Sequence, residues 1–256
     1  MPLKFVFGPS GSGKSTYLYQ HVIEESEKYP LKNFIVLVPE QFTMVSMHPR
    51  HGIMNIDVLS FARLAYRVFE ETGTKQIQVL DDEGKNLILR KIAGDYENKL
   101  TVLKGNIKKL GYISEVKSVI SEFTQYDIGE EEMDEMLDHL DEDSRLYYKL
   151  KDIRLLYEGF QDYLRERYIT KEELLDVLNS QVKESELLKN SVVVLDGFTG
   201  FTPVQNRLIL ELMRCCKEVW VTVTMDEREN PYAYKHPYQL FGLSKQMVTT
   251  LVRMAG

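Results

Sequence analysis

The apolar positions of this chain change their period twice. Between residues 3 and 75, short apolar runs alternate with stretches of helical spacing. Leu3–Phe7, Phe34–Val38 and Asn55–Val58 read as strands, and Thr16–Lys28 and Phe61–Thr72 read as helices. From about Val79 to Lys189 the strand signals stop and helical periodicity takes over. There Leu146, Leu150, Ile153, Tyr157, Phe160 and Leu164 recur at alternating spacings of four and three, which predicts one buried stripe on a long helix. Thr170-Lys171-Glu172-Glu173 has the form of a capping box opening the next helix. Strands return at Ser191–Leu195 and Glu218–Val223, and between them Pro203–Cys216 reads as a helix with proline in its first turn. The expected architecture is α/β, a parallel sheet interrupted by a large all-helical insertion. Residues 1–78 and 190–256 would form the discontinuous sheet domain, and 79–189 the insertion.

One connection is unusual. Sixteen residues separate Val38 from Asn55, and they carry Pro39, Pro49 and Gly52. A parallel crossover usually contains a helix, and two prolines leave little room for one. Either the connection is an irregular loop or residues are absent between Met44 and Val45.

Composition narrows the class. With 43% hydrophobic and 28% charged residues in 256, the chain has the make-up of a soluble globular protein. No apolar run is long enough to span a bilayer, and Met1-Pro2-Leu3-Lys4 leads into a strand rather than a signal peptide. Cys215 and Cys216 are adjacent, a spacing that disfavours a mutual bridge; buried thiols in a reducing cytoplasm are expected. A net charge of −7 argues against coating DNA by charge alone, while leaving room for a local groove. The acidic cluster from Glu130 to Asp143 reads as a solvated helical surface. His48 and His51 flank Pro49-Arg50 without nearby acids or cysteines, so a loop is expected there rather than a metal site.

The chemistry concentrates at Gly8-Pro9-Ser10-Gly11-Ser12-Gly13-Lys14-Ser15, of the form G-x-x-x-x-G-K-S, followed by Thr16. It stands after an apolar strand and before a helical run, as a phosphate-binding P-loop requires. Glycines let backbone N–H groups wrap a polyphosphate, and the helix N-terminus adds partial positive charge. Lys14 would reach the outer phosphates and the Ser15 hydroxyl would complete a Mg2+ shell. Strand, loop and helix in this order make a chance match a poor explanation, and the segment predicts nucleoside triphosphate binding.

A second segment completes the expectation. Val192-Val193-Val194-Leu195 places Asp196 at the end of an apolar strand, where a P-loop ATPase holds the Mg2+ shell. The next residue is Gly197, which has no side chain to orient an attacking water. The site therefore reads as able to bind ATP and poorly equipped to cleave it, although a carboxylate from another element or partner would rescue hydrolysis. Asp196-Gly197 could instead be a simple turn.

These blocks together resemble the N-terminal region of AddB, the B subunit of the bacterial AddAB (RexAB) ATP-dependent helicase–nuclease. The resemblance rests on Phe5–Ser15, on Val36-Leu37-Val38-Pro39-Glu40-Gln41-Phe42-Thr43, on Asn55–Arg67 and on Leu195–Gln205, and so spans essentially the whole chain. It implies a superfamily 1 helicase-like fold that has lost motor motifs, pairs with an AddA motor subunit, guides single-stranded DNA and takes part in Chi recognition during recombinational repair. Family members carry a nuclease and an iron–sulfur cluster in a C-terminal portion. This chain has neither the length nor the cysteines for those parts, so an N-terminal fragment without nuclease activity is expected.

For DNA, the resemblance points to Gln41, Thr43, Phe61, Arg63, Tyr66 and Phe201. An arginine and aromatic rings at strand-to-helix junctions could hold phosphates and stack on bases; Phe61 and Tyr66 could equally face a helix core. Two other readings stay open. An active ATPase motor would need a carboxylate not found beside Asp196, and Thr224-Met225-Asp226-Glu227-Arg228 stands where a motor tends to carry a glutamine. A P-loop small-molecule kinase would need an arginine-bearing lid, and the helical insertion shows no arginine cluster.

Overall fold

The computed structural model describes residues 3–40, 55–73, 78–106, 109–165 and 167–256. Gln41, Thr43, His48, His51 and the junction of Met44 with Val45 lie outside them. The chain divides into two compact units, Met1–Lys75 with Leu175–Gly256, and Gln76–Leu174.

The first unit is built on a parallel sheet of five strands. In chain order these are β1 (Leu3–Gly8), β2 (Asn33–Leu37), β3 (Ile56–Leu59), β6 (Ser191–Leu195) and β7 (Glu218–Thr224), lying side by side as β1-β7-β6-β2-β3. Continuous apolar runs such as Phe34–Leu37 and Val192–Leu195 are what a strand covered on both faces requires. One face packs Val36, Val38, Val192 and Val194 against Leu18 and Val22 of α1 (Lys14–Lys28). The alternate positions, Ile35, Leu37, Val193 and Leu195, are also fully buried. Helices α2 (Phe61–Thr72), α7 (Leu174–Gln181), α8 (Glu186–Lys189), α9 (Pro203–Cys215) and α10 (Gly242–Ala255) complete the unit. The ends of α2 follow local chemistry. Ser60 Oγ accepts from the Arg63 N–H, and Gly73 closes the helix at φ 67, a left-handed conformation suited to glycine. Thr202 and Gln205 form the reciprocal capping box of α9, with Pro203 in its first turn.

The second unit contains α3 (Asp82–Asp95), α4 (Leu110–Gln125), α5 (Glu130–Asp138) and α6 (Arg145–Leu164). It is not all-helical as expected. Two strands of two residues each, β4 (Val79–Leu80) and β5 (Ile169–Thr170), pair in parallel at its ends. Segments this short carry no measurable alternation, which is why sequence periodicity passes over them. Thr170 and Glu173 do exchange the two bonds of a capping box.

Leu89, Ile92, Ile113, Ile120, Met133, Leu156 and Phe160 form the core of this unit. Gly159 lets α6 approach α3: a Cβ there would stand 2.8 Å from the Tyr96 ring and 2.9 Å from Ile92 Cγ2. Two polar devices are buried within it. Asp152 accepts the N–H groups of Thr101, Val102 and Leu103, and the Lys85 ammonium meets Glu172 at 2.6 Å and Ser121 at 3.2 Å. The apolar stripe of α6 is only partly core. Ile153, Tyr157, Phe160 and Leu164 are buried, but Leu146 is 58% exposed, a correction to the expectation that it is covered.

Candidate functional site

Because all five strands of the sheet run parallel, their carboxyl ends share one edge, where crossover loops converge in folds of this kind. The glycine-rich loop leaves β1 there and enters α1 at Lys14. Gly11 and Gly13 adopt φ 74 and φ 85, and Gly13 is the N-cap, so two of the loop's glycines are demanded by backbone conformation. Gly8 is closely surrounded: a Cβ would stand 2.5 Å from Ser12 Oγ and 3.2 Å from Lys14 Cγ, so those side chains would have to shift to admit one. The loop is closed by Ser12 N–H donating to the Pro9 carbonyl at 3.2 Å, and Lys14 Nζ donates to the same oxygen at 2.8 Å. Partial burial lowers the affinity of Lys14 for its proton, opposed by the nearby Asp196 carboxylate.

Strand order explains how Asp196 reaches this loop. β7 lies between β1 and β6, and Leu195 of β6 is in register with Val221 of β7, which brings Asp196 level with Thr222. The carboxylate is 5% exposed and accepts three hydroxyl bonds: Ser15 at 3.0 Å and Thr222 at 2.7 Å on Oδ1, and Tyr19 at 2.5 Å on Oδ2. Thr222 Oγ1 also accepts the Gly197 N–H at 3.2 Å. Gly197 itself sits at φ 80. The position after the aspartate therefore lacks a side chain and also has a backbone that a glutamate would hold only under strain.

Tyr19 and Thr222 were not singled out by sequence reasoning. A signal existed for Tyr19, which lies four residues after Ser15 and so on the same face of α1. None existed for Thr222, whose role depends on β7 separating β1 from β6. Glu227 was also missed. It lines a cleft of about 340 Å³ beside the loop together with Phe7, Pro9, Lys14 and Tyr17. That cleft and the glycines without a Cβ give room for a polyphosphate, and Lys14, Ser15 and Asp196 are the donor set a triphosphate with its Mg2+ needs. The residues fit the group.

Of the residues proposed for DNA, Phe61 and Phe201 share one aromatic cluster with Phe198, their ring centroids 5.1–6.5 Å apart. Phe61 is 7% exposed and belongs to the core side of this cluster. Arg63 is exposed, and Tyr66 is 47% exposed with its ring edge-on to Phe69. A larger polar cleft, about 830 Å³, lies at the opposite, amino-terminal edge by Asn33 and Asn190. Its Glu71 is already occupied by the Ser185 hydroxyl and the Leu187 N–H. Among the described residues no helix is long and apolar enough to cross a membrane.

Fold and site together define a parallel α/β protein with a glycine-rich loop, Lys14 and a buried aspartate gathered at the carboxyl edge of its sheet. The chain belongs to the AddB family: the model of "ADDB, N-terminal" matches residues 5–256. It is similar to proteins named as the B subunit of an ATP-dependent helicase/deoxyribonuclease. The one from Lachnoclostridium phytofermentans is 45% identical over 100% of this chain and 23% of its own length. Those from Alkaliphilus oremlandii and Clostridium kluyveri are 35% and 36% identical, each over 88% of this chain and 20% of their own. The chain thus spans about a fifth of the length of these curated relatives.

Proposed function

We propose that this chain is the ATP-binding, single-stranded-DNA-engaging N-terminal domain of the B subunit of a helicase–nuclease, with a P-loop NTPase core of superfamily 1 helicase type. The observation that carries this reading is the meeting of Ser15 and Asp196, 3.0 Å apart although 181 residues separate them, beside Lys14. Gly8, Ser10, Gly11, Ser12, Gly13 and Thr16 would line the phosphates, Lys14 would neutralise them, and Ser15 with Asp196 would hold Mg2+. The metal would shield charge on the phosphates. The relatives' names support a place as one subunit of an ATP-dependent helicase–nuclease. In this reading the partner is an AddA-like motor subunit, and the pair acts in the cytoplasm in recombinational repair of double-strand breaks. Arg63, Tyr66, Phe201, Gln41 and Thr43 are the proposed DNA contacts, with Phe61 as the buried support of Phe201.

Hydrolysis by the chain alone is weak or absent in this reading, since Gly197 cannot polarise water. Titration with Mg2+ and ATP tests it: binding that Lys14→Ala abolishes, with negligible turnover, is expected. One observation favours a second reading, an active motor, because Glu227 brings a carboxylate to the loop's cleft. Steady turnover lost in Glu227→Gln would move the conclusion to that motor.

A further inference from the structure

The apolar stripes of the helical unit continue past the end of its core. On α4, buried Ile113, Val116 and Ile120 are followed at the same spacing by Phe123, and Tyr126 lies just beyond the helix. On α5, buried Met133 is followed one turn later by Met136, which is 40% exposed. On α6 the stripe extends from Ile153 back through Leu150 to exposed Leu146. The three overhangs meet: Phe123, Tyr126, Met136, Leu140, Leu146 and Leu150 line a single open cleft of about 770 Å³. Among the described residues of this unit, these side chains remain an apolar surface that the core does not cover.

The surroundings specify what it takes. Asp127, Glu132 and Glu135 also line the cleft, against the single ammonium of Lys149, and residues 127–143 contain ten carboxylates and no lysine or arginine. Such a rim repels nucleic acid and anionic lipid. It also opposes a second copy of this chain, because a two-fold contact would set acidic rim against acidic rim. What complements it is an apolar stripe flanked by positive charge. We propose that this cleft seats a basic amphipathic helix of a partner polypeptide, whose aliphatic side chains at i, i+3 or i+4 and i+7 enter between α4, α5 and α6 while its lysines or arginines face Asp127, Glu132 and Glu135.

The 256-residue chain can be titrated with a labelled leucine–lysine helix of about 18 residues, long enough to present two to three such repeats. Saturable one-to-one binding is expected, weakened at least about tenfold by Leu146→Asp, as for loss of a central apolar anchor. That substitution adds negative charge and would by itself strengthen attraction to a cation, so the loss must come from the apolar contact. Glu135→Gln should weaken binding by about threefold and flatten its salt dependence. Leu146 and Met136 are exposed, and circular dichroism of their variants should match the unaltered chain. Equal binding by Leu146→Asp, by a scrambled peptide of the same composition or by a leucine–glutamate helix would overturn the proposal. So would self-association of the chain that Leu146→Asp abolishes, which would make a second copy the occupant.

Discussion

Tyr19 donates its hydroxyl to Asp196 Oδ2 at 2.5 Å, from the helix that also carries Ser15. With Thr222 on the other oxygen, the carboxylate is held from two sides before any cation arrives. Removal of either hydroxyl leaves a buried acceptor partly unsatisfied. Tyr19→Phe should cost about 1–3 kcal/mol in denaturant unfolding. Because Thr222→Val acts on the same carboxylate, the double variant should depart from additivity by about 0.5 kcal/mol or more. Strict additivity would show that the two hydroxyls do not share a partner.

Replacing Gly197 with glutamate tests whether the site can be rebuilt by restoring the expected residue. The φ of 80 at this position makes any L side chain strained, by about 1–2 kcal/mol. Gly197→Glu is therefore expected to lower stability by roughly that amount without raising ATP turnover. A coupled assay and an unfolding curve on one preparation read both.

Lys85 and Glu172 form a buried pair, and breaking one side leaves the other uncompensated. Lys85→Ala should destabilise by about 3–5 kcal/mol, while Lys85→Met combined with Glu172→Leu should be far milder. Burial raises the Glu172 carboxyl, but hydrogen bonding and charge attraction from Lys85 outweigh this and hold it below its ordinary 4.5. A lowered carboxyl contributes stability that is intact above about pH 4.5 and is lost as pH falls through the depressed value. Acid titration of unfolding should thus be shallower in the double variant. An unchanged acid limb would detach Glu172 from it.

Burial pushes the Cys216 thiol from 9.0 up to about 12, and the Cys215 thiol is raised for the same reason. Native protein at pH 8 should resist alkylation at Cys216 and take label there after unfolding. The sign of the linkage is opposite to that of Glu172: the contribution is complete below pH 9 and declines as pH rises towards 12. Mass spectrometry showing fast native labelling of Cys216 would contradict its burial.

Arg63 is exposed on the first turn of α2, and an arginine that meets phosphate acts through charge. Single-stranded DNA binding is expected to weaken in Arg63→Ala, with a smaller decline in affinity as salt rises. Phe201→Ala should remove about 1–3 kcal/mol of stacking if its ring meets a base. Fluorescence anisotropy with a labelled oligonucleotide distinguishes these, since only the first should alter the salt slope.

What was legible in the sequence was what is encoded locally. Apolar runs such as Val192–Leu195 announced buried parallel strands, Thr170 announced its capping box, and Pro203 announced the first turn of α9. The glycine loop was legible because each glycine answers to its own φ or its own close neighbour. Thr222 and Glu227 escaped because they join the site only through strand order, which no local window contains; Tyr19 shares a helix face with Ser15, but its partner Asp196 is set by strand order too. Leu146 escaped for a related reason: a stripe says which face of a helix is apolar, not how far its neighbours extend along it.

The ladder of β1 has further reach than its six residues suggest. Its strand neighbour is β7, so Leu3 waits for Val219 before it gains a hydrogen-bonded companion. During synthesis the loop at Lys14 leaves the ribosome early, yet its supporting strand stays unpaired until the residues through Thr224 have followed. The loop's final geometry is then a property that arrives with β7, and truncation before residue 218 should leave an intact glycine motif whose leading strand has no ladder partner.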